Sequence, residues 1–328
     1  MQAISFILIS ENEEHMKKAI RVLFFVIGFC AFVVLACVLL PDPFGKAYQR
    51  NLVRQYDYYS GIEENKMVFI GSSSLSFGYD QETMEDLTGK TCALLGNHYG
   101  YGMTYLMEMS KSNLKSGDIV VLEMADQTID KCGEDLLLTG IGHRYEMYKF
   151  FIPQNRWKII SYYPSYIKKV LMYDLDGGYD PGEGPYMINS FDEKGSMIYP
   201  RPECELPMPY KEDPSKDHIF ISFSGRPFQA EYVEYINDYI AYCKDLGVEV
   251  YITLHCYLDE AIISPEEDIN AYEQTLKASF DAPIISDQAD YIFGREYFYD
   301  NPMHCNTEGA KYRTTLIYND LVRAGALD

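Results

Sequence analysis

From residue 67 onward the chain alternates two hydrophobic rhythms. Short apolar runs at 67–70, 91–95, 118–123, 249–254 and 283–285 predict buried strands. Between them, 81–87, 104–113, 230–246 and 265–280 carry apolar residues at helical spacing, and 308–323 adds a closing helix. Strands that alternate with helices build a parallel sheet covered on both faces. The pattern therefore predicts one α/β domain over 67–328, preceded by a linker at 41–66 with helical character.

Two regions break this alternation. Residues 22–40 are an uncharged run of 19 residues, which at about 1.5 Å per residue nearly crosses a hydrocarbon layer of about 30 Å. Lys17, Lys18 and Arg21 precede the run and Pro41-Asp42-Pro43 ends it. These are the flanks of an uncleaved signal-anchor transmembrane helix, with 1–21 as a cytoplasmic segment. Lys46, Arg50 and Arg54 follow, so basic residues balance across the span and do not set its orientation. Val34-Leu35-Ala36-Cys37 faintly resembles a lipoprotein cleavage box, but apolar residues continue through Leu40; Met16-Lys17-Lys18 would make a more ordinary start for such a segment.

The second break is 133–226. Its part 145–173 is aromatic and basic and reads as one or two helices, whereas 174–217 is rich in Gly, Pro, Asp and Glu and predicts a long irregular excursion. An insertion between the third and fourth strands lies near the carboxyl edge of the sheet, where a lid or substrate cap would sit.

Composition acts mainly by exclusion. A net charge of -21 leaves nothing to neutralise phosphates, so nucleic acid and anionic lipid are excluded as main partners. None of the cysteines forms a C-x-x-C pair, and Cys92, Cys132, Cys204, Cys243, Cys256 and Cys305 read as buried free thiols. The 30 tyrosines suit core packing or carbohydrate stacking equally.

The chemistry is concentrated in two short motifs. Gly71-Ser72-Ser73-Ser74-Leu75-Ser76-Phe77-Gly78 follows the first strand, so its serines stand where α/β folds place ligands. Asp300-Asn301-Pro302-Met303-His304 lies near the end. It supplies an imidazole to take a hydroxyl proton and a carboxylate to orient that imidazole. Ser72 and Ser74 have a competing use as helix N-caps. His98, His255 and His304 also stand near strand ends, yet no H-x-H or H-E-x-x-H spacing supports a metal site.

These blocks resemble those of the SGNH, or GDSL, hydrolase superfamily. Leu94-Leu95-Gly96-Asn97-His98-Tyr99-Gly100-Tyr101-Gly102 is similar to its glycine block, and the resemblance extends over 67–314. It implies a three-layer, flavodoxin-like fold with a five-stranded parallel sheet. Ser73 would be the nucleophile, His304 the base and Asp300 its orienting acid. The oxyanion donors would be the Ser73 amide with Gly96, Asn97 and Gly100. Three departures stand out: Ser72 replaces the usual Asp, three residues rather than two separate Asp300 from His304, and Leu122-Glu123-Met124-Ala125-Asp126 replaces the G-x-N-D block.

A weaker resemblance, through a G-S-S-x-L block, is to the membrane-anchored D-alanine transfer protein of lipoteichoic acid assembly. The expectation is a membrane-anchored, extracytoplasmic esterase or O-acyltransferase that needs no cofactor or metal. It would act on acylated glycans, with a membrane acyltransferase as a possible partner. The alternative is an inactive binding or assembly module of the same fold.

Overall fold

The computed structural model describes residues 2–39, 42–124, 136–208, 210, 219–225 and 228–327. Its elements in chain order begin with α1 (Gln2–Leu39), α2 (Asn51–Ser60), β1 (Lys66–Ile70), α3 (Ser73–Gly78), α4 (Gln81–Thr88), β2 (Thr91–Leu95), α5 (Met103–Ser110) and β3 (Ile119–Met124). There follow α6 (Leu136–Ile141), α7 (Pro153–Leu175), α8 (Ala230–Leu246), β4 (Glu249–Leu254), β5 (Tyr257–Leu258), α9 (Glu266–Ser279), β6 (Ile292–Phe293) and α10 (Thr307–Arg323).

The main sheet is parallel with the order β2-β1-β3-β4. Its inner strands are buried from end to end because helices cover both faces. The chain leaves β1 toward β2 and then crosses back to β3, so right-handed crossovers put the intervening helices on opposite faces. Accordingly α4 packs with α10, and α5 with α8. The reversal makes the carboxyl ends of β1 and β3 the switch point of the sheet, where a crevice opens.

The sheet has four strands rather than the expected five. At 283–285 the fifth is reduced to one parallel bridge, Ile252 with Ile284. Pro283 lacks an N–H, so the contact is limited to Ile252 N–H donating to Pro283 O and Ile285 N–H to Ile252 O, both at 2.9 Å. A separate parallel pair, β5 with β6, was not expected.

The segment expected as a linker is built into the domain. Helix α2 buries Leu52, Tyr56 and Tyr59 in the same core as the sheet. The irregular excursion is present over the described parts of 174–217.

Among the described residues no helix is long and apolar enough to cross a membrane. The uncharged part of α1 with described side chains runs unbroken only over 22–33, about 18 Å of helix. The remainder of the expected span includes positions 34, 36–38 and 40, which lie outside the described side chains.

Candidate active site

Strand β1 delivers Gly71 and the serine block to the crevice. Parallel pairing sets β1 beside β2 up to Ile70 and Leu95, and Gly71 and Gly96 continue that approach. A Cβ on Gly96 would stand 2.2 Å from Gly71 O, so no other residue fits there without a shift.

Ser72 is the N-cap of α3, its hydroxyl accepting Ser74 N–H at 3.3 Å. Ser74 is buried, and its hydroxyl has no partner among the described residues. Ser73, at the first position of the helix, is the one that meets the histidine: its Oγ lies 3.0 Å from His304 Nε2.

His304 sits on a tight loop between Phe298 and Cys305, which form an antiparallel bridge. Asn301 shapes this loop, its Oδ1 accepting Met303 N–H and its carbonyl accepting His304 N–H, each at 3.0 Å. The additional residue is thereby absorbed in a turn, and Asp300 Oδ1 still reaches His304 Nδ1 at 2.9 Å. An ionised Asp300 accepts there, which places the imidazole proton on Nδ1 and leaves Nε2 to accept from Ser73. Burial raises the Asp300 carboxyl, but hydrogen bonds from His304 and Tyr186 outweigh it and leave the group below its ordinary range.

Two aromatic residues complete this arrangement. The Phe77 ring stacks on His304 at 4.1 Å between centroids and 13° between planes. Tyr186, from the irregular excursion, donates to Asp300 Oδ2 at 2.5 Å and packs near Phe77 and Tyr48. Phe77 was legible in principle: it stands one helical turn after Ser73, on the same face. Tyr186 has no such signal, since it comes from a segment without periodicity.

The expected oxyanion donors fare differently. Gly96 N–H donates to Gln55 Oε1 and Gln55 Nε2 returns a bond to Gly96 O, both at 3.0 Å. Asn97 is buried, with Nδ2 donating to Tyr48 O at 3.1 Å and Oδ1 accepting from Asn51 and Ser76. Gly100 N–H donates to His98 Nδ1 at 2.9 Å. The Ser73 amide, by contrast, has no acceptor among the described residues.

At the place where an Asn block was expected, Glu123, next to last in β3, is buried and paired with Arg313 and His255; Ala125 and Asp126 lie outside the described residues. The three histidines do not converge on one point. His98 accepts from Gly100, His255 lies 3.0 Å from Glu123, and His304 belongs to the serine relay. Burial and the nearby His304 lower His98 to about 4, so it is neutral near pH 7. Cys92, Cys243, Cys256 and Cys305 are buried free thiols and Cys204 is half-buried; Cys132 lies outside the described residues.

The arrangement therefore sets a hydroxyl, an imidazole and a carboxylate in series, beside a glycine turn whose polar groups are mostly engaged. Comparison with models of known protein families and with curated proteins finds no match for this chain.

Proposed function

We propose that the chain is a serine-dependent ester hydrolase or acyltransferase of SGNH type, acting on acylated, chiefly acetylated, glycans of the cell envelope or exported polysaccharide. The observation that carries this reading is the continuous relay from Ser73 Oγ through His304 to Asp300, at 3.0 and 2.9 Å. Ser73 attacks the ester carbonyl as His304 Nε2 takes its proton. The bond to the leaving oxygen then breaks, and His304 returns the proton to the departing alcohol. Water or a sugar hydroxyl attacks the acyl-serine, again with His304 as base, and restores Ser73.

Substrate class and location rest on other features. The rings of Tyr48 and Tyr186 beside the relay suit a sugar. Leu23, Phe24, Phe25, Ile27, Phe29 and Phe32 are exposed around α1 and suit attachment to a membrane, with an acyl-supplying membrane protein as partner. A second reading, an inactive binding module, is favoured by one observation, the engagement of the Gly96, Asn97 and Gly100 donors.

Reaction of the full chain with a fluorophosphonate probe and an aryl acetate separates the two. The catalytic reading expects label on Ser73 and turnover, both lost in Ser73→Ala and kept in Ser72→Ala and Ser74→Ala. A folded chain with neither property gives precedence to the binding module. Turnover that survives Ser73→Ala but not a chelator would point to a histidine-bound metal instead.

A further inference from the structure

Beneath Ser73 lies an ion pair that the relay does not use. Glu123 at the end of β3 and Arg313 in α10 have fully buried side chains and are joined by Arg313 Nη2 to Glu123 Oε1. Each partner also grips the serine turn. Glu123 Oε2 accepts Ser72 N–H at 3.3 Å, and Arg313 Nη1 donates to Ser74 O at 3.1 Å. Arg313 Nη2 also donates to Leu254 O at 3.0 Å, which ties the turn to β4.

The glycines at both ends of the serine block are fitted to this pair. A Cβ on Gly71 would meet Glu123 Oε2 at 2.7 Å and Glu123 Cβ at 2.9 Å, and one on Gly78 would meet Arg313 Nη1 at 2.7 Å. Spacing of the motif is thus explained by what lies under it as well as by the turn itself.

Such a pair is a poor device for stability alone. Desolvating two charges offsets most of their attraction, and apolar residues of similar volume commonly replace buried pairs without loss. Arg313 Nε is moreover buried with no partner among the described residues, a further cost. What apolar residues could not reproduce is the hold on Ser72 N–H and Ser74 O, the groups flanking the nucleophile.

We propose that the Glu123–Arg313 pair is a positioning device that fixes the two peptide groups flanking Ser73 and so keeps Oγ aimed at His304. This rests on the reading of Ser73 as nucleophile.

The test compares the full chain with Glu123→Leu/Arg313→Met and with Arg313→Lys, which keeps the charge but lacks the planar fork. Three quantities are read: the thermal midpoint, the fluorophosphonate labelling rate at Ser73, and the pH midpoint of that rate. The double variant should stay folded but melt below the parent, because Ser72 N–H, Ser74 O, Leu254 O and His255 lose buried partners. Its labelling rate should fall by about 100-fold, the order expected when a reacting atom is misplaced by about 1 Å. The pH midpoint should not move, because His304 and Asp300 are untouched, and Arg313→Lys should fall between.

A folded double variant that labels at the parental rate overturns the proposal. One that does not fold overturns it equally, since the pair is then a stability element. A parent chain that takes no label defeats the nucleophile reading, and this inference with it, a result distinct from loss in the variants alone.

Discussion

The turns after β1 and β2 begin from the same geometry. Ile70 and Leu95 are register partners, each is followed by a glycine, and both chains then leave the sheet at the mouth of the crevice. The first turn ends in a hydroxyl 3.0 Å from an imidazole that is itself held by a carboxylate. The second ends in donors engaged by Gln55, Tyr48 and His98. Proximity of a motif to the crevice is thus insufficient: a donor serves catalysis only if nothing else in the fold has claimed it. In the first turn Ser72 and Glu123 take up the neighbouring amides, and that of Ser73 has no acceptor among the described residues. In the second, residues of α2 and its approach, with His98 of the turn itself, take up the donors of Gly96, Asn97 and Gly100.

The contrast is broken most directly at Ser73. If the first turn is the reactive one, Ser73→Ala and His304→Ala should each lower aryl acetate turnover by about 10⁴-fold or more, and the double variant should be little worse, as for groups acting as a unit. Equal turnover in parent and single variants would mean that the relay is unused. Next in size is Asp300→Asn, which leaves the shape but favours the wrong imidazole tautomer and should cost about 10³- to 10⁴-fold. Adding Asn301→Asp should not restore activity, because the side chain at 301 is turned toward Met303 N–H. Recovery in that double variant would show that the acid can be supplied from either position.

The two ends of the Ser73–His304–Asp300 relay were legible in the sequence because their signals are local. An apolar run predicts β1, the following glycine and serines predict the turn, and a carboxylate and imidazole in one short loop predict a pair. Even the additional residue between Asp300 and His304 has a local cause in the Asn301 turn. The oxyanion wall was not legible because the residues that occupy it, Asn51, Gln55 and Tyr48, lie in a segment read as a linker. Their alignment with β2 is a tertiary fact with no spacing of its own. The fifth strand failed for a nearer reason: three residues that begin with a proline can satisfy a bridge but not a ladder.

A smaller effect sharpens the reading of the second turn as framework. Gln55→Leu removes both bonds to Gly96 and leaves a buried amide and carbonyl unsatisfied, which should lower unfolding free energy by about 1–3 kcal/mol in urea titration. Turnover should stay within about threefold of the parent if Gly96 N–H takes no part in the reaction. A rise of tenfold or more would instead show that Gln55 masks a working oxyanion donor, and the contrast between the turns would become one of regulation.

The smallest expected effect concerns Tyr186, the contact from the excursion to the relay. Its hydroxyl donates to Asp300 Oδ2, so Tyr186→Phe removes one of several groups that favour the ionised carboxylate while keeping the ring against Phe77 and Tyr48. A single charge-assisted bond in a partly exposed site is worth about 1 kcal/mol, which corresponds to about fivefold in turnover. The sign of the pH effect follows from the direction of the Asp300 shift. A carboxyl held below its ordinary value of 3.8 stays ionised further into acid, and the stability that this gives is present above the ordinary value and lost as pH falls through the folded one. Without the hydroxyl the shift shrinks, so in the variant the acid-side loss of stability should be smaller and complete at a higher pH, while the acid-side loss of turnover should begin at a higher pH. Turnover and melting followed side by side below pH 5 would check this; an unmoved acid limb would mean that Tyr186 packs over the relay without stabilising its charge.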